Sequence, residues 1–77
     1  GWLGVDPTDE AMQHIGAMPK LRMLMCQDTK ATDNGFIAMA RSQTIEYIWG
    51  RKCYELTGRG FAALAEMPSL KGLSVSC

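Results

Sequence analysis

Apolar residues in this 77-residue chain follow two alternating rhythms. Three stretches open on a threonine and then repeat apolar side chains every three or four residues, the spacing of one helical face. They are Thr8 with Met12 and Ile15, Thr32 with Phe36 and Met39, and Thr57 with Phe61 and Leu64. After a short break, which holds Pro19 in the first and Pro68 in the third, comes an L-x-x-L run that ends on a period of two. These runs are Leu21-x-x-Leu24-x-Cys26, Ile45-x-x-Ile48-x-Gly50 and Leu70-x-x-Leu73-x-Val75. A period of two belongs to a strand with one buried face. The pattern predicts helices over 9–18, 33–41 and 58–66 and strands over 22–26, 46–50 and 71–75. Trp2-Leu3-Gly4-Val5 reads as the tail of an earlier strand. The threonines stand where N-caps belong, and Asp9, Glu10 and Asp33 add negative charge to the first turns.

The stretches are also copies of one another. Thr32 to Ala40, moved on by 25 positions, lands on Thr57 to Ala65 with Thr, Gly, Phe, Ala and Ala coinciding at 32/57, 35/60, 36/61, 38/63 and 40/65. Moved back by 24, its Thr32 and Asp33 meet Thr8 and Asp9. A strand–helix unit of ~25 residues cannot bury its own apolar face, so at least ~3 must stack. Tandem copies set equivalent strands side by side and parallel, with a helix as each crossover. The expected fold class is therefore α/β, a solenoid with short parallel strands on a concave face and helices on a convex one.

The repeated pattern, L-x-x-L-x-[LC]-x-x-[TC] followed by T-[DG]-x-G-F, resembles a leucine-rich repeat. It runs from Leu21, Leu24, Cys26 and Thr29 to Thr32-Asp33-x-Gly35-Phe36. It runs again from Ile45, Ile48, Gly50 and Cys53 to Thr57-Gly58-x-Gly60-Phe61. The nearest types are the ribonuclease-inhibitor-like, cysteine-containing and bacterial T-D-x-G-L repeats. The resemblance covers nearly the whole chain and implies one domain, 1–77, of about three repeats (8–31, 32–56 and 57–77). It also implies a fragment of a longer array, because no capping unit is recognisable. Two departures stand out: Gly50 replaces an expected core aliphatic, and 51–56 is one residue longer than 27–31.

Alternation along the strands sorts the side chains by face. Leu24, Cys26, Ile48, Leu73 and Val75 are expected inside, with Leu21, Ile45 and Leu70. Met12, Ile15, Phe36, Met39, Phe61 and Leu64 are expected to meet them from the helices. Phe61 and Leu64 are thus expected to be costly to truncate. The other strand face displays Met23, Met25 and Gln27, then Tyr47, Trp49 and Arg51, then Gly72, Ser74 and Ser76. Across strands these form the ladders Met23–Tyr47–Gly72, Met25–Trp49–Ser74 and Gln27–Arg51–Ser76. Met, Tyr, Trp and Arg are the residue types enriched in protein interfaces, so Met23, Met25, Gln27, Tyr47, Trp49, Arg51 and Ser74 are the candidate partner-binding residues. Cover by another part of a parent protein is the competing explanation of this patch.

Composition narrows the rest. Eight Lys+Arg balance eight Asp+Glu, which gives no electrostatic reason to expect nucleic acid or an acidic membrane surface. The longest apolar runs fall far short of the ~20 residues of a membrane span. Three cysteines, Cys26, Cys53 and Cys77, without a C-x-x-C, disfavour zinc ribbons and thioredoxin-like chemistry. Cys26 reads as core, and the resemblance gives Cys53 a buried structural role in the loop after a strand. His14, the one histidine, has no nucleophile in a plausible dyad. Thr57-Gly58-Arg59-Gly60 lacks phosphate-loop spacing and reads as a helix start. Asp6, Asp9, Glu10, Asp28 and Asp33 crowd two loops, where solvated caps are preferred to a cation site. No catalytic residues, cofactor or metal are expected.

The leading expectation is a non-catalytic module that binds a protein partner through its concave sheet face, with no nucleic acid and no membrane span. Self-association through the open ends of the stack is a further expectation. Two alternatives are a substrate-receptor segment of an F-box-type ubiquitin ligase subunit, suggested by Cys53 and its loop, and a scaffold domain of a larger multidomain enzyme.

Overall fold

Threonine starts every helix, and each of these threonines has an extended backbone that turns the chain into the first helical turn. The structure, a computed structural model, describes residues 2–5 and 8–76, with side chains from Thr8 onward. The expectations for Asp6 and Cys77 lie outside the described residues. The order of elements is β1 (Trp2–Val5), α1 (Asp9–Gly16), β2 (Met23–Gln27), α2 (Asp33–Met39), β3 (Tyr47–Arg51), α3 (Gly58–Ala65) and β4 (Gly72–Val75). All elements predicted from the two rhythms are present, with boundaries moved by one or two residues. The helices end early because their last turns tighten: the amides of Ala17 and Met18 bond the carbonyls of His14 and Ile15, three residues back, as helix ends commonly do.

The four strands form one parallel sheet in the order β1-β2-β3-β4. Leu24 pairs with Ile48, and Ile48 with Leu73, so equivalent residues of successive units lie side by side. One sheet face is buried against the helices. Leu24 and Ile48 from the strands, Ile45 from the strand entry, and Met12, Phe36, Met39 and Leu64 from the helices are all fully buried. Each such side chain contributes roughly 1.5–3 kcal/mol through the apolar area it loses to water. Alternation is sharpest in the third strand, where Tyr47, Trp49 and Arg51 are exposed and Ile48 and Gly50 buried.

The two departures from the repeat pattern have simple packing answers. A side chain at Gly50 would begin 2.9 Å from the Cys53 sulfur and 3.5 Å from that of Cys26. The missing aliphatic is therefore replaced by sulfur, with Cys53 fully buried from the loop. The extra residue after Arg51 is absorbed in a turn at 54–55 that leaves Tyr54 in solvent and returns Leu56 to the core.

Phe61 corrects the expected core. It is 44 % exposed, whereas its counterpart Phe36 is completely buried. Phe36 has α3 beyond it; among the described residues no helix lies beyond α3. The same open side leaves Leu70, Leu73 and Val75 only half-buried, where Ile45 and Ile48 one unit earlier are fully enclosed.

Candidate binding face

Strand pleating and register together build the helix-free face. Residues at alternate positions of β3 point away from the helices, which places Tyr47, Trp49 and Arg51 there. Register sets Met23 beside Tyr47, Met25 beside Trp49 and Gln27 beside Arg51, and brings Gly72 and Ser74 alongside Tyr47 and Trp49. Neighbours in such a ladder are about 4.8 Å apart. All seven candidate residues therefore lie on one face. Trp49 is 51 % and Tyr47 39 % exposed; Met23 and Met25 are half-buried, and Gln27, Arg51 and Ser74 are exposed. Ser76, expected at the end of the third ladder, lies just past β4, but its amide still bonds the Gly50 carbonyl at 3.0 Å.

Gly72 explains how the aromatic shelf lies. A Cβ at that position would stand 2.9 Å from the Tyr47 ring, so the absent side chain gives the ring room to lean over β4. At the other end, Asp28 and Lys52 follow their strands with φ of 55°. This left-handed step turns the chain out of the sheet directly after Gln27 and Arg51. Asp28 and Lys52 are neighbours, with a 3.9 Å ion pair. At the strand entry, Glu46 lies between Arg22 (3.0 Å) and Lys71 (3.4 Å). Among the described residues, Arg51 makes no ion pair.

The acidic residues do something the sequence reading missed. Asp9 and Asp33 are more than solvated caps. The Asp9 carboxylate accepts from the Thr32 amide at 2.6 Å and from the Thr32 hydroxyl at 2.7 Å. Asp33 repeats the arrangement one unit on, accepting from the amide of Thr57 at 2.7 Å and from its hydroxyl. Each aspartate thus clamps the first turn of the next helix. Only Thr8, which receives no such carboxylate among the described residues, turns its own hydroxyl to its helix and accepts from the Ala11 amide at 3.2 Å. The hydrogen bonds from Thr57, the hydroxyl first and the amide second, hold the Asp33 carboxyl below its ordinary value of 3.8. Gly35 and Gly60 make the clamps fit, since a Cβ there would fall 2.3 Å and 2.5 Å from the carboxylate oxygens of Asp9 and Asp33. The signal was in the sequence as a Thr-Asp in one unit (Thr8-Asp9, Thr32-Asp33) and a Thr-x-x-Gly in the next (Thr32 to Gly35, Thr57 to Gly60), but it needed the packing of successive units to give it meaning. A second set of links joins strand entries: the Thr44 hydroxyl donates to the Leu21 carbonyl at 2.7 Å and Ser69 to that of Ile45 at 2.8 Å.

The other singled-out residues stand apart from this face. His14 is exposed near the end of α1. Cys26 and Cys53 are buried, and the Cys53 thiol points to the Arg51 carbonyl at 3.9 Å. Among the described residues, no three His, Cys, Asp or Glu side chains gather as metal ligands, and no helix is long and apolar enough to cross a membrane. Compared with known proteins, the chain matches no protein-family model, no curated protein and no solved structure.

Proposed function

We propose that the chain is a stack of leucine-rich-repeat-type units, a solenoid segment, whose helix-free sheet face is a non-catalytic docking surface for a protein partner. The observation that carries this reading is the pair Tyr47 and Trp49, large aromatic side chains exposed on a sheet face whose opposite side is a packed core. Met23 and Met25 beside them extend the apolar area. Methionine adapts to the shape of what it meets, and tryptophan, tyrosine and arginine supply most binding hot spots. Arg51 adds a charged donor at the end of the shelf. The backbone of the face is held by parallel pairing on both sides of β3, so little order has to be gained on binding.

Trp49→Ala with Arg51→Ala tests this. Both side chains are exposed, so circular dichroism and the unfolding midpoint are expected to stay near wild type. Proteins retained by the wild-type chain and by a Gln13→Ala control on the helical side are expected to be lost from the double variant. Equal retention by all three would refute the reading.

A further inference from the structure

The helix-free face is graded along the strand direction. At its lower and middle levels stand Met23, Tyr47, Met25 and Trp49; at its strand-exit end stand Gln27 and Arg51. Among the described outward-pointing strand residues, Arg51 bears the only charge, and no carboxylate shares the face with it. At the same strand-exit end the Asp28 carboxylate faces Lys52, 3.9 Å away. Gln27, paired with Arg51 across the strands, sets a carboxamide donor beside the guanidinium.

We infer that the partner segment read by this face carries an acidic side chain next to a large apolar one, the apolar group on the Trp49–Met25 shelf and the carboxylate on Arg51. The inference rests on the proposed binding face and names the chemistry of its ligand. Trp49 and Arg51 are two residues apart on one strand, so their side chains rise from the same face about 6.6 Å apart. An extended segment has the same repeat, so an apolar residue and an acid at i and i+2 present the matching spacing. Guanidinium and carboxylate meet through two parallel N–H···O bonds, and an adjoining apolar contact excludes water from one side of that pair. A basic segment would set like charges together at Arg51, and a purely apolar one would leave the guanidinium and the Gln27 amide facing nothing polar.

Capped tripeptides supply the test: acetyl-Leu-Gly-Glu-amide against its Gln and Lys counterparts, titrated into the 77-residue chain and followed by the indole and backbone NMR signals. Shifts are expected at Met25, Gln27, Trp49 and Arg51. The Glu peptide is expected to bind about 1.5- to fivefold tighter than the Gln peptide, the range of an exposed ion pair, and the Lys peptide weakest. Raising the salt and Arg51→Gln should each remove the preference. Equal binding of the Glu and Gln peptides, a preference that survives Arg51→Gln, or shifts that avoid Trp49 would overturn the acidic-ligand inference. If Trp49→Ala still abolishes capture of a protein partner in those cases, the docking surface stands and only its charge preference falls.

Discussion

Phe36 and Phe61 occupy the same place in α2 and α3, one turn after the threonine that opens each helix, yet one is fully buried and the other 44 % exposed. Their local sequences, Asp-Asn-Gly-Phe and Gly-Arg-Gly-Phe, are close. The difference lies in what stands beside them: α2 packs between α1 and α3, and among the described residues α3 has a helix on one side, α2. In a stack, burial is conferred by the neighbouring unit. The largest test of this difference is truncation. Phe36→Ala is expected to cost about 3–5 kcal/mol, the range for a buried phenylalanine. Phe61→Ala is expected to cost less than about 1 kcal/mol, as an exposed residue does. Urea unfolding of both variants at low protein concentration measures the gap; equal losses would mean that α3 is covered as fully as α2.

That difference also marks how far the fold was legible in the sequence. The strands and helices were readable because each has its own period, and the register was readable because the copies could be superposed. Leu24, Ile48 and Leu73 align in sequence and pair in the sheet. The outward positions of Tyr47, Trp49 and Arg51 followed from the same alternation. Phe61 was misassigned because periodicity identifies the face of a helix and is silent on whether anything covers it. The aspartate clamps were missed because an acid in a first helical turn already has a local explanation in the helix dipole. Only the placement of α1 beside α2 brings Asp9 to Thr32.

The clamps give a second contrast, between a helical glycine that lies against a clamp and one that does not. Gly35 lies against the Asp9 carboxylate, while a Cβ at Gly58 would meet nothing within 4 Å. Replacing a helical glycine by alanine ordinarily stabilises by up to about 1 kcal/mol. Gly58→Ala is expected to follow that rule. Gly35→Ala is expected to reverse it, with a net loss of about 1–3 kcal/mol, because the methyl group displaces the carboxylate and strains the packing. Thermal unfolding of the pair reads the sign directly; a stabilised Gly35→Ala would show that the clamp carries no weight.

Acid separates the same two helices by charge. Asp33 links α2 to α3, and its carboxyl is held below the ordinary 3.8 by the hydroxyl and amide of Thr57. A carboxyl whose folded value is depressed binds fewer protons when folded than when unfolded. Its contribution to stability is therefore complete above the unfolded value and is lost as pH falls through the folded one. Stability is expected to drop below about pH 4, and the drop should shrink in Asp33→Asn, in which the group facing Thr57 no longer titrates. Identical acid limbs for the two proteins would remove Asp33 from the pH response.

The smallest expected effect compares two strand exits. Asp28 after β2 and Lys52 after β3 share the left-handed φ of 55°. Aspartate tolerates that conformation because its short polar side chain can bond the local backbone, but lysine has no such compensation. Glycine removes the clash between Cβ and carbonyl that makes the region costly. Lys52→Gly is therefore expected to stabilise by up to about 1 kcal/mol, and Asp28→Gly by less, because the left-handed region costs an aspartate less than a lysine. The ion pair that Lys52→Gly removes is 3.9 Å long between side chains about half exposed, so its loss should offset little of that gain. Unfolding midpoints that rise more for Asp28→Gly than for Lys52→Gly would show that side-chain bonding, rather than backbone strain, decides what stands at the end of these strands.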